Sequence, residues 1–251
     1  MKFVAALQFL TSIRLPWLRE ARPEEFGRSV VYFPVVGLII GLILAGLNWL
    51  LSLILPSALV NASLLVSLVV ITGALHLDGF ADTCDGIAGH RTAEDRHQVM
   101  HDSRVGGFGV VGVVLLLLVK YVALSSIPES LMMTTLLFMP VVSRWTIVYA
   151  LFAYPYARPS GLGLAFKQGA RWHRFTAATL ITFAVSVFLI PLFHLAGFII
   201  IFAVWVITVI TAAYLKGKFS GLSGDTYGAI NELVEVSVLI LVIILARLGL
   251  A

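Results

Sequence analysis

The 251-residue chain is 60% hydrophobic and only 12% charged, with a mean hydropathy of +1.01 and a formal net charge of +4. Apolar content on that scale, gathered into long runs, excludes an ordinary soluble enzyme and leaves a polytopic membrane protein. A lone cysteine, Cys84, excludes an intramolecular disulfide and any cysteine-pair metal or redox site.

Residues 1–12, MKFVAALQFLTS, are too short to span a bilayer and lack the cleavage pattern of a signal peptide. They are expected to form an amphipathic segment lying at the interface. A bilayer core of about 30 Å needs roughly 20 apolar residues in a helix. Seven runs approach that length, near 32–55, 58–75, 107–127, 131–153, 176–193, 195–215 and 233–250. Pro191 kinks or ends the fifth. The expected fold is an all-α, polytopic membrane bundle of about seven helices, forming one domain over 1–251. Of the 17 Lys and Arg residues, 14 fall in the segments on the N-terminal side, and Glu129 alone of the 13 acids lies in a loop on the other. Arg144 falls inside the fourth span, and Lys120 and Arg247 sit towards the opposite face. The positive-inside rule therefore puts the N-terminus and the polar loops in the cytoplasm, with the chain in the inner membrane. The net positive charge suits anionic headgroups or phosphorylated substrates.

Three constellations carry chemistry. The first, HLDGFADTCDG at 76–86, spaces Asp78, Asp82 and Asp85 at i, i+4 and i+7, within about 60° on one helical face. Three carboxylates so placed repel one another unless a cation sits among them, and hard oxygen ligands suit Mg²⁺ completed by water and substrate phosphate. His76 is a candidate general base or an interfacial hydrogen-bonding residue. The second, MHDSRVGGFGV, sets Asp102 and Arg104 before Gly106, Gly107 and Gly109 at the start of a span. Its backbone N–H groups could receive phosphate, with Arg104 adding a bidentate contact, or the glycines could serve helix packing and Asp102 could pair with Arg104.

The third, KGKFSGLSGDTYGAINELVE at 216–235, opens on the same face as the first by span parity. Asp225 is a metal ligand or a helix cap. Glu232 and Glu235 fall near the membrane boundary, where ionisable groups are costly and usually functional. Lys216 and Lys218 hold phosphate or act as positive-inside anchors. Arg144 needs a partner, either a loop acid or a phosphate. The 154–175 loop mixes Arg158, Lys167, Arg171 and Arg174 with aromatic residues, and grips a nucleotide or the lipid surface.

HLDGFADTCDG, MHDSRVGGFG and GLSGDTYGAINELVE, with YFPVVG before the first span, together resemble the cobalamin synthase (adenosylcobinamide-GDP ribazoletransferase) family, over essentially the whole chain in order and spacing. The resemblance implies a Mg²⁺-dependent membrane phosphotransferase that joins the cobinamide-phosphate of adenosylcobinamide-GDP to α-ribazole or its 5′-phosphate. GMP leaves, and adenosylcobalamin or its 5′-phosphate forms. On this reading Asp78, Asp82, Asp85, Asp102, Asp225 and Glu232 form the metal set, and Arg104, Arg144 and Lys218 contact phosphate. His76 or one of Asp82, Asp102 and Asp225 handles the proton. The lipid bilayer is the implied surrounding and no nucleic acid is a partner. Self-association or docking to other corrinoid enzymes is compatible with it. Two alternatives stand beside it. Asp82, Asp85 and Gly86 match half of the CDP-alcohol phosphotransferase signature, although HRTAEDRHQ departs from its downstream half. A cation-coupled transporter could use Glu232 and Glu235, but inverted halves and paired broken helices are not visible.

Overall fold

The computed structural model describes residues 2–14, 23–89, 92–100, 102, 104–193 and 196–250, at 23–24 and 189–193 the backbone alone. Met1, His101 and Ser103 of the motifs above, and Arg19, Arg22 and Arg91 of the charge count, lie outside the described residues. Twelve α-helices are found within them, and no strand; the nearest approach to one is an isolated parallel bridge between Tyr156 and Leu222.

The first helix, α1 (Lys2–Leu10), buries Ala5, Ala6, Leu7 and Leu10. That face packs on the helical bundle. Phe9 reaches Phe33 at 6.2 Å and Phe166 at 4.5 Å between ring centroids. Ser12 donates to the carbonyl of Val70, tying this segment to the second span. α2 (Pro23–Ser29) leads through a 3₁₀ turn into α3 (Phe33–Leu51), where Pro34 sits in the first turn, whose N–H groups have no intrahelical partner.

The second span is shorter than its apolar run. α4 (Ser57–Ile71) rises only about 22 Å, less than a bilayer core of about 30 Å. Gly73 and Ala74 take left-handed backbone angles, φ 59° and 57°, and break the helix there. The chain resumes as α5 (Leu75–Ile87), bent by 87° from α4. The first acidic motif is thus a separate helix crossing the end of the bundle.

After α6 (Ala93–Met100) come α7 (Gly107–Ser125) and α8 (Glu129–Ala153), then α9 (Leu162–Gly169), α10 (Trp172–Phe193), α11 (Ala196–Phe219) and α12 (Gly224–Arg247). Among the described residues five helices are long and apolar enough to cross a membrane, or six if α4 and α5 count as one bent span. The expected seven runs are all helical, but the count of seven spans is not reached by that measure. Pro191 does not end α10, which continues to Phe193. The last helix begins nine residues before its expected start at 233, because Ser223 and Thr226 form a capping box that draws the polar GDTYGAINE stretch into the helix.

α8 is the hub, buried along most of its length. It admits α3 closely because Gly37 and Gly41, four apart on one face, carry no Cβ; a Cβ on Gly41 would lie 2.8 Å from the Leu136 carbonyl oxygen. Within the membrane the structure also holds four charges. Lys120 on α7 donates to Glu232 at 2.6 Å and to Glu235 at 2.5 Å, both on α12. Arg144 on α8, fully buried, pairs with Glu235. Asn231 adds a 3.1 Å hydrogen bond to Glu235. Lys120, in the half of α7 towards the opposite face as expected, points into the bundle interior. At 1.5 Å per residue these groups lie about 12 to 20 Å below the helix ends that carry the polar loops.

Two cations and two anions make the cluster neutral, which is the condition for burying charge in so apolar a setting. Glu235→Gln should cost about 3–5 kcal/mol of stability by leaving Arg144 and Lys120 under-neutralised. Adding Lys120→Met should restore part of that loss. Unfolding in detergent checks this, and a single-variant loss below about 1 kcal/mol would contradict the tie.

Candidate active site

At the end of the bundle that carries the polar loops, a cavity of about 460 Å³ opens between α1, α3, α5, α8, α9 and α12. Its polar wall holds His76, Asp78, Arg158 and Asp225, and its apolar wall includes Phe9, Phe33, Ile147, Leu151 and Phe166. Tyr156 and Tyr227, stacked with centroids 6.5 Å apart, also line it.

Backbone proximity assembles the polar wall. A Cβ on Gly79 would lie 2.8 Å from the Cα and carbonyl oxygen of Asp225, and one on Gly228 would lie 3.0 Å from the carbonyl oxygen of His76. α5 and α12 therefore cross at a point where only glycine fits, and the crossing brings Asp78 and Asp82 of one helix beside Asp225 of the other. Asp82, half-buried, stands in the field of Asp78, Asp225 and Asp85, opposed by Arg158.

Arg158 reaches Asp225 at 2.7 Å. It is aimed by a short clamp in which the Ala157 N–H donates to the Leu222 carbonyl at 2.8 Å and the Leu222 N–H donates to Pro155 at 2.9 Å. Because Ser223 caps α12, Asp225 is released from the capping role and faces Arg158 and the cavity. Sequence reasoning gave Arg158 only a diffuse role in gripping a nucleotide or lipid, and did not single out Tyr156 or Tyr227. The prolines at 155 and 159 that bracket this arginine were the available signal of a fixed loop.

Asp85 has a different setting from Asp78 and Asp82. It is buried, and its two carboxylate oxygens accept the N–H groups of Gly106 and Gly109, each at 2.8 Å. Asp85 thus caps α7 from a neighbouring helix, satisfying donors that a helix start leaves open and complementing its positive end. The glycines expected to receive phosphate give these two N–H groups to a carboxylate, and a Cβ on either would overlap that carboxylate.

The remaining expected residues lie elsewhere. Asp102 and Arg104 form a two-point pair on the surface, Arg104 Nη2 meeting Asp102 at 2.8 Å and Nε meeting it at 3.1 Å. That pairing holds the Asp102 carboxyl down at about 2. Lys218 lies over the Tyr214 ring at 5.4 Å. Arg144 and Glu232 belong to the intramembrane cluster. His76 connects the two regions, because it is buried, lines the cavity and feels the charges of Arg144, Glu235 and Lys120. Its Nδ1 is buried with no hydrogen-bond partner among the described protein atoms.

Among the described residues no three His, Cys, Asp or Glu side chains converge as a self-sufficient metal site. The donor set suits a cation of another kind. Mg²⁺ commonly takes one or two carboxylates and completes its shell with water and substrate phosphates, and Asp78, Asp82 and Asp225 supply crowded carboxylates beside an open cavity.

Asp85→Ala should lower stability by about 1 kcal/mol through loss of the α7 cap. It should also speed hydrogen exchange at the Gly106 and Gly109 amides. Unchanged exchange at both would show that the carboxylate does not hold them in the membrane-embedded protein.

A family model described as cobalamin-5-phosphate synthase matches residues 2–243. The adenosylcobinamide-GDP ribazoletransferase of Geotalea daltonii is 40% identical over 234 residues, 93% of each chain. That of Syntrophobacter fumaroxidans is 40% identical over 243 residues, 94% of this chain and 96% of the relative. That of Desulforamulus reducens is 35% identical over 240 residues, 95% and 94% of the two. No solved structure matches. The chain belongs to the cobalamin-5-phosphate synthase family.

Proposed function

From membership of that family, we propose that the chain is a single membrane-embedded transferase unit that moves the cobinamide-phosphate group of adenosylcobinamide-GDP onto α-ribazole or α-ribazole 5′-phosphate. GMP is released, and adenosylcobalamin or its 5′-phosphate is formed. The relatives named above carry that activity in their names, rather than that of a CDP-alcohol phosphotransferase or a carrier. The observation that carries the reading is the cavity whose polar wall joins Asp78, Asp225, Arg158 and His76 to an aromatic and aliphatic wall.

In this reaction a ribazole hydroxyl oxygen forms a bond to the cobinamide-linked phosphorus. The bond from that phosphorus to the bridging oxygen breaks, and GMP departs with the electron pair. Asp78, Asp82 and Asp225 are the residues that would hold Mg²⁺. When bound, that cation neutralises charge on the phosphate oxygens and on the leaving group. Arg158, held by Asp225, adds a fixed positive group on the same wall. His76, which lines the cavity and keeps an unpartnered Nδ1, is placed to accept the hydroxyl proton.

The apolar wall suits the aromatic base of the ribazole, and a volume of about 460 Å³ lies within the range for a ligand of that size. The corrin ring stays outside it. Arg104 with Asp102, and Lys218, lie at the same end of the bundle and are available to the guanosine diphosphate portion. Asp85, Arg144 and Glu232 act by holding the helices that carry the site. The site faces the cytoplasm from the inner membrane, as the distribution of Lys and Arg suggests.

The protein in lipid nanodiscs, given adenosylcobinamide-GDP and α-ribazole, should release GMP and form a cobalamin product only with Mg²⁺. Asp82→Asn should lower that rate by at least about 100-fold, the scale on which one preorganised electrostatic group acts. Undiminished turnover by the folded variant, or turnover without divalent metal, would contradict the assignment.

A further inference from the structure

On the opposite side of α9 from the active-site cavity lies a second hollow, of about 310 Å³, lined by Arg28 of α2, Arg171, and Arg174 in the first turn of α10. Its floor is backbone. A Cβ on Gly27 would stand 2.5 Å from the Ala165 carbonyl oxygen, so α2 and α9 touch without side chains between them. Gln168 completes the polar lining, and among the described residues no carboxylate lines it. Arg28 and Arg171 each repel Arg174, whose Nη1 donates to the Gly169 carbonyl at 2.7 Å. Among the described residues none of the three makes an ion pair with a protein carboxylate.

Three guanidinium groups around one hollow, with no counter-charge among the described residues, match the chemistry of a phosphate anion, which guanidinium binds through paired N–H donors. Two features select the source of that phosphate. Trp172, next to Arg171, is 70% exposed at the head of an apolar helix, the setting in which tryptophan marks the headgroup level of a bilayer. The hollow also shares no lining residue with the active-site cavity. We infer that Arg28, Arg171 and Arg174 form a headgroup site for the phosphate of an anionic phospholipid. The bound lipid braces α2 against α9, and through Phe166 of α9 it steadies one wall of the cavity. None of these arginines belongs to the proposed catalytic set, so the site stands or falls apart from the transferase assignment.

The full chain is placed in nanodiscs that contain brominated phosphatidylglycerol or brominated phosphatidylcholine, and quenching of Trp172 is read as the difference from Trp172→Phe. The brominated anionic lipid should quench at much lower mole fraction than the neutral one. Arg28→Gln/Arg171→Gln should shrink that preference by about tenfold, given that each basic group near an anionic surface contributes measurably to attraction. Arg28→Lys/Arg171→Lys, which keeps charge but loses the paired donors, should fall between. Equal quenching by the two lipids, or a preference unchanged in the glutamine variant, would overturn the site. A saturable, arginine-dependent response of Trp172 to inorganic phosphate in purely neutral discs would overturn the lipid assignment in favour of a soluble phosphate.

Discussion

The constraint on which the architecture rests is charge neutrality inside an apolar bundle. Lys120, Arg144, Glu232 and Glu235 lie on three different helices, and none of them can be buried in lipid surroundings without the others. Their mutual attraction fixes the rotation of α7, α8 and α12 about their axes. The orientation of the upper turns of those helices follows, and with it the direction in which Asp225, Tyr227 and the N-terminus of α7 face.

Upon that base two close contacts assemble the polar end. α5 lies across the bundle because Gly73 and Ala74 break the second apolar run, and it seats on α12 because Gly79 and Gly228 leave room for the backbones to approach. Asp85 then locks α5 to α7 through two N–H groups, while Asp78 and Asp82 remain beside Asp225. Three carboxylates on one helical face thus divide their labour by their position along the helix, one serving as a cap and two standing near the cavity. His76 bridges the levels, with the charged cluster below it and the cavity above.

Much of this was legible in the sequence. The apolar runs gave the helices, parity and the basic residues put the acidic motifs at one end, and the i, i+4, i+7 spacing gave a helical acidic face. The break after Ile71 was less visible, because a positive φ at Ala74 leaves no compositional mark. The fate of Asp85 was hidden for a similar reason, since spacing reports which side chains share a face but not which backbone N–H groups another helix will offer them. Lys120 reads in isolation as a lysine near a span's end. Only the packing of α7 on α12 reveals that it answers Glu232 and Glu235. Arg158 was obscured by lying in a basic, aromatic loop whose residues face different ways, with Arg158 turned to the cavity and Arg171 and Arg174 turned to the hollow behind α9.

The central claim is that Asp78, Asp82 and Asp225 share a divalent cation with the substrate's pyrophosphate. Pulsed electron paramagnetic resonance of Mn²⁺, substituted for Mg²⁺ in nanodisc-embedded protein, tests it most directly. With adenosylcobinamide-GDP bound, the account predicts ³¹P hyperfine coupling to a protein-bound Mn²⁺, lost on Asp82→Asn and on Asp225→Asn while the fold persists. Coupling that survives both substitutions, or Mn²⁺ bound with no phosphorus nearby, would contradict it.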